Sequence, residues 1–104
     1  VVNATQKPVK GGQLARLAAM LGENPLFRAW IDMRRRYPVG TTTPDAARVF
    51  FLEACQVSSR AQIDHQPEAV EMMNKIRRGY LKQQGAALAW AESCGVDLKE
   101  WVGE

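Results

Sequence analysis

Asn24-Pro25-Leu26-Phe27-Arg28-Ala29-Trp30-Ile31-Asp32-Met33-Arg34-Arg35-Arg36-Tyr37-Pro38 carries a helix start, a buried face and a helix stop in one uninterrupted stretch. Asn24 is a good N-cap, because its side-chain oxygen can accept from an amide that the first turn leaves without a partner. Pro25 stands at the first helical position, where a missing N–H costs nothing. Leu26, Phe27, Trp30 and Ile31 form a wide apolar stripe at helical spacing. Pro38 disfavours helical geometry in the residue before it, so the helix is expected to end near Tyr37, with Arg34-Arg35-Arg36 in its last turn.

The same punctuation extends in both directions. Upstream, Leu14, Leu17, Ala18 and Leu21 predict a helix from about Gln13 to Leu21, and Gly22 suits a left-handed stop. Downstream of the Val39–Thr42 loop, Thr43-Pro44-Asp45 repeats cap, proline and an acid facing the helix dipole. Ala47, Phe50, Phe51 and Ala54 supply the buried stripe there, with Cys55 beside it. Ser58-Ser59 breaks this helix, and Ser59 with Gln62 has the spacing of a capping box opening a short helix to Ile63.

Asp64 or Gln66 caps the next helix, whose first turn tolerates Pro67. Ala69, Met73, Ile76 and Tyr80 line its inner face. Two continuations are open: one long, bent helix to Cys94, or a break near Gly85. Ala87, Trp90, Ala91 and Cys94 stay in phase, which favours the long form. Gly95 ends it, and Asp97 caps a last turn bearing Leu98, Trp101 and Val102. No stretch alternates with period two, so the expected fold is all-α. It is a compact bundle of about five to six helices over residues 13–104, after a flexible lead over 1–12 that contains Pro8 and Gly11-Gly12.

Glu53-x-Cys55-x-Val57 recurs as Glu92-x-Cys94-x-Val96, an offset that also sets Phe51 over Trp90. A period of this size belongs to helical repeat units, so two pseudo-repeated units are one reading and recurrent helix punctuation is the other. Under both, Cys55 and Cys94 read as small buried residues at helix ends.

Composition excludes several classes. Apolar residues make up 46% and charged residues 24%, an ordinary globular mix rather than a disordered one. No apolar run approaches the roughly 18–20 residues of a membrane span, and Val1–Lys10 has no apolar core of a secretion signal. With two cysteines, nothing calls for an oxidising compartment, and cytoplasm is expected. Charge is uneven. Residues 1–36 hold seven Lys/Arg against Glu23 and Asp32, while 37–104 hold seven basic and nine acidic side chains. That asymmetry points to a polyanionic or acidic partner.

Chemistry is sparse. His65 is the sole histidine and has no second histidine or Cys-x-x-Cys pair at metal-ligand spacing. Cys55–His65 and Ser59–His65 are conceivable nucleophile–base pairs, but no nucleophile elbow or phosphate loop accompanies them. No enzyme activity, metal, cofactor or small-molecule substrate is expected. The arginines give the functional lead. Arg34, Arg35, Arg36, Arg77 and Arg78 carry fork-shaped donors suited to phosphate oxygens, and Lys75 and Lys82 extend the second group along its helix. Tyr37 and Tyr80 offer stacking faces if exposed. The competing reading is a solvated face, with Arg34–Arg36 offsetting the dipole of their helix. Trp30, Trp90, Phe27, Phe50 and Phe51 read as core. Trp101 either docks onto the bundle or, with Tyr37, marks a protein interface such as a homodimer contact.

Cys55-x-Val57-x-Ser59-Arg60-Ala61-x-x-Asp64-x-x-Pro67-x-Ala69, preceded by Gly11-Gly12-x-Leu14-Ala15-x-Leu17-Ala18, resembles a group of small, uncharacterised phage- and prophage-encoded proteins. The likeness spans roughly residues 10–80. Gln56 stands where glycine is expected, and the 85–104 tail has no counterpart. Members tend to be encoded near phage recombination or replication genes. The resemblance implies a role in phage DNA metabolism inside a bacterial host cell, and it carries over no catalytic residue. Within the same segment, Ser59 is expected to cap the short helix and Arg60 to pair with Asp64 at i,i+4.

Overall fold

The computed structural model describes residues 11–103. Among these residues there are five α-helices: α1 (Gln13–Glu23), α2 (Pro25–Arg35), α3 (Pro44–Cys55), α4 (Pro67–Lys82) and α5 (Gln84–Ser93). A 3-10 helix, Arg60–His65, joins α3 to α4, and a 3-10 turn, Lys99–Trp101, follows α5. No strand occurs among the described residues. The all-α bundle is therefore the fold. Residues 1–10 of the expected flexible lead lie outside the described residues.

The caps form as their residue types dictate. Asn24 Oδ1 accepts from the amides of Leu26 (2.8 Å) and Phe27 (3.3 Å), and Thr43 Oγ1 accepts from Ala46 (3.1 Å). Pro25, Pro44 and Pro67 each occupy a first turn. At its other end α2 closes with Arg36 in the left-handed region (φ 61°), Tyr37 N–H returning to the Asp32 carbonyl and Arg36 N–H to that of Met33. Helix α3 ends the same way on Gln56 (φ 56°), with Val57 N–H bonded to Leu52. This is the Schellman closure that glycine makes most cheaply. Gln56, where glycine was expected, thus carries a conformation that strains a side chain.

One helix boundary differs from expectation. Gly22 does not stop α1. It stays helical and buried, and Asn24 alone joins α1 to α2. Of the two continuations after α4, the break near Gly85 is the one formed rather than the long helix to Cys94: the chain breaks at Gln83 (φ −111°, ψ 15°), two residues before Gly85. Tyr80 and Ala87 lie seven residues apart, so the buried face keeps its phase across the break and conceals it. The break frees α5 to pack along α2, and Gln83 Oε1 accepts the indole N–H of Trp30 at 2.7 Å.

Phe27 centres the core. Its ring stacks on Phe51 (5.3 Å between centroids, 8° between planes) and meets Tyr80 (5.1 Å), Trp30 (5.4 Å) and Phe50 (6.2 Å). Met73, Ile76 and Ala69 close it from α4, and Ile63 from the 3-10 helix. Trp90 is only half-buried, and its indole N–H donates to the Tyr37 carbonyl at 2.8 Å.

Two aspartates tie loops to helices. Asp32, wholly buried, accepts from Thr42 Oγ1 (2.6 Å), Thr42 N–H (3.0 Å) and Gly40 N–H (3.1 Å). That clamp satisfies a charge which would otherwise be costly to bury, and it delivers the chain to the Thr43 cap. Asp64 neither pairs with Arg60 nor caps α4. Its carboxylate accepts from Gly12 (2.8 Å), Leu14 (2.9 Å) and Ala15 (3.0 Å) and so caps α1 from a distant part of the chain. A Cβ on Gly12 would stand 2.9 Å from Asp64 Cγ, so only glycine admits this approach. The capping box also shifts: Ser59 makes no side-chain cap, and Gln62 Oε1 instead accepts from Ser58 N–H at 2.8 Å.

Partial burial pushes the Asp64 carboxyl up, but the amides of Leu14, Ala15 and Gly12, with neighbouring His65, outweigh it and hold it below the usual carboxylate range. The stability this adds is complete above the unfolded-state value, near pH 4, and is lost as pH falls through the lowered folded-state value. Asp64→Asn is expected to flatten the acid limb of a pH-dependent denaturation series, and Asp64→Ala to cost about 1–2 kcal/mol at neutral pH by urea unfolding. Gln56→Gly is expected to raise stability by about 1 kcal/mol in the same assay, by relieving the left-handed strain.

Candidate nucleic-acid interface

The two basic groups of the sequence come from different helices. Arg34 and Arg35 occupy the last turn of α2 and Arg36 its left-handed closure, all exposed. Lys75, Arg78 and Lys82 lie on α4 at helical spacing and are exposed as well. The packing of α2, α3 and α4 brings one member of each group to a common groove of about 410 Å³. It is lined by Trp30, Arg34, Phe50, Ala54, Met72, Lys75, Ile76 and Gly79. Arg34 and Lys75 are its only charged lining residues among the described residues, so the groove is basic above an apolar floor.

The floor is the outer side of the core. The Arg34 guanidinium lies over the Trp30 ring, 5.1 Å from its centroid, a contact that orients the cation. Trp30 lies against α4 at Gly79, where a Cβ would stand 3.4 Å from the indole, at the edge of ordinary contact. Phe50 is half-buried, held on its inner side by Phe51 (5.5 Å) and Phe27. Phe50, expected in the core, is thus shared between core and groove, and Met72 joins it on the lining. No local signal separates Phe50 from Phe51, since the adjacent Leu26 and Phe27 of α2 are both buried.

Other candidates are placed elsewhere. Arg35, Arg36, Arg78 and Lys82 are exposed but do not line the groove. Tyr80 is wholly buried against Phe27, so it offers no stacking face. Arg77 lines a second groove, of about 550 Å³, beside Leu17, Met20, Leu21 and Trp101. Trp101 is 41% exposed there and Met20 65%, while Gln84 clasps the backbone of Gly103, accepting from its N–H (3.2 Å) and donating to its carbonyl. Tyr37 is exposed beyond the end of α2.

The chain matches no protein-family model, no curated protein and no solved structure. The geometry alone carries the functional reading. Among the described residues, no group of three or more His, Cys, Asp or Glu side chains could hold a metal ion. Nor is any helix among them long and apolar enough to cross a membrane. His65 is exposed, whereas Cys55 is buried and burial pushes its thiol up, the reverse of what activates a thiolate nucleophile.

Cys94 corrects the expectation of two buried cysteines. It is exposed, because the turn at Cys94-Gly95 carries it off the α5 contact face. A thiol reagent is therefore expected to modify Cys94 rapidly in the folded protein. Cys55 should react only on unfolding, giving one fast equivalent and one that appears with denaturant.

Proposed function

We propose that this protein is a small, non-enzymatic accessory module of DNA metabolism that holds nucleic acid on the face shared by α2 and α4. One observation carries the reading: Arg34 and Lys75, from two different helices, stand on a single groove whose lining has no carboxylate among the described residues. Guanidinium and ammonium groups on phosphate oxygens supply most of the affinity in such contacts. Exposed Arg35, Arg36, Arg78 and Lys82 extend the positive field beyond the groove and would steer a polyanion towards it. The resemblance to phage-encoded proteins agrees with this role and with the cytoplasm of a bacterial host as its setting.

A second reading, a protein–protein or homo-oligomeric contact without nucleic acid, is favoured by the other groove. There Met20, Trp101 and Val102 leave apolar surface open to solvent. Solution mass by light scattering addresses it, a dimer that dissociates on Trp101→Ala being the supporting result.

The decisive measurement for the first reading is fluorescence anisotropy with labelled oligonucleotides at two salt concentrations. Affinity is expected to fall steeply with salt. The double variant Arg34→Gln/Lys75→Gln should bind at least tenfold more weakly at low salt, with a log–log salt slope shallower by about 1.5 for the two lost phosphate contacts. Absence of binding at low salt rejects the reading.

A further inference from the structure

We infer that the α2/α3/α4 groove receives an unpaired nucleobase of a single strand, seated on Phe50 and Met72, with Arg34 and Lys75 on the flanking phosphates. The inference rests on the nucleic-acid reading of this face and specifies the form of nucleic acid it selects. Phosphates alone would be served by the exposed arginines and lysines on the convex surface. They give no reason for a concavity whose floor is Trp30, Phe50, Ala54, Met72 and Ile76. A surface of that kind gains free energy only from a ligand that brings an apolar face into it. Duplex DNA keeps its base faces stacked inside and presents only edges and phosphates, whereas an unpaired base exposes a flat apolar face with a phosphate on either side.

The residues suit that ligand. Phe50 is fixed from within by Phe27 and Phe51, so its outer side is a preformed platform rather than a mobile ring. Met72, half-buried at the groove margin, has the adaptable side chain that accommodates bases of different outline. Arg34 is held over Trp30, which places a guanidinium plane beside the base site, where it can stack as well as pair with phosphate. Nothing in the lining offers a patterned set of donors and acceptors for base edges, so recognition is by stacking and charge and is tolerant of sequence.

The test compares three probes of equal phosphate number on the full chain at low salt: a thymidine oligonucleotide, an abasic strand and a duplex. The base-bearing strand is expected to bind about tenfold more tightly than the abasic strand and more tightly than the duplex. Phe50→Leu keeps apolar volume but removes the flat ring, and it should erase most of the gap between base-bearing and abasic strands, the abasic strand serving as the reference for each variant. Met72→Ala, at the groove margin, serves the same purpose should Phe50→Leu lower the melting temperature. Arg34→Gln, by contrast, should weaken both strands together. Equal binding of the base-bearing and abasic strands, or of strand and duplex, overturns the inference while leaving the nucleic-acid reading intact. Failure of all three probes to bind overturns both. An acidic amphipathic peptide that displaces the thymidine strand at lower concentration than the strand itself requires also overturns the inference, and assigns the groove to a protein ligand.

Discussion

The fold depends on the burial of one ring. Phe27 is where α2, α3 and α4 meet, and its contacts with Phe51, Tyr80, Trp30 and Phe50 fix the directions in which those helices can run. Interiors packed this densely do not deform continuously, so a ring touching three helices sets their mutual spacing as well as adding apolar burial. The groove follows from that spacing. Trp30 and Phe50 belong to the Phe27 cluster on one side and to the groove floor on the other. Core and candidate site are two sides of one aromatic layer.

Around this layer, polar groups supply the angles. Asp32 gathers the chain after α2 and Asp64 gathers the start of α1, each by giving a carboxylate to several amides at once. Charged acceptors make stronger bonds than neutral ones, which suits positions where a loop must be held against the entropy of the chain. Helix α5 is held differently, by the indoles of Trp30 at Gln83 and Trp90 at Tyr37. Those bonds secure both ends of its contact with α2.

What can be read from residue order is what acts over one or two turns. The Asn24-Pro25 and Thr43-Pro44 starts and the buried stripe of Ala69, Met73, Ile76 and Tyr80 are local signals, and they hold in three dimensions. The misreadings share a cause. Asp64 has an attractive partner at Arg60, and only the tertiary arrangement shows that it serves Gly12, Leu14 and Ala15 instead. Gly22 has the character of a stop, yet α1 runs through it to Glu23. The same limit governs the candidate site. The basic residues are conspicuous along the chain, but no local pattern tells that Arg34 and Lys75 share a groove or that Tyr80 does not face solvent.

The placement of Asp64 has a consequence for the order of events during synthesis. A ribosome delivers α1 before it delivers residue 64, so this helix waits on a group made about fifty positions later. A single helix of eleven residues is marginal in water by itself. Helix α1 is therefore finished late, and any nascent chain stalled short of Asp64 exposes Leu14, Leu17 and Leu21 as an unclosed apolar strip that a chaperone can read as incomplete.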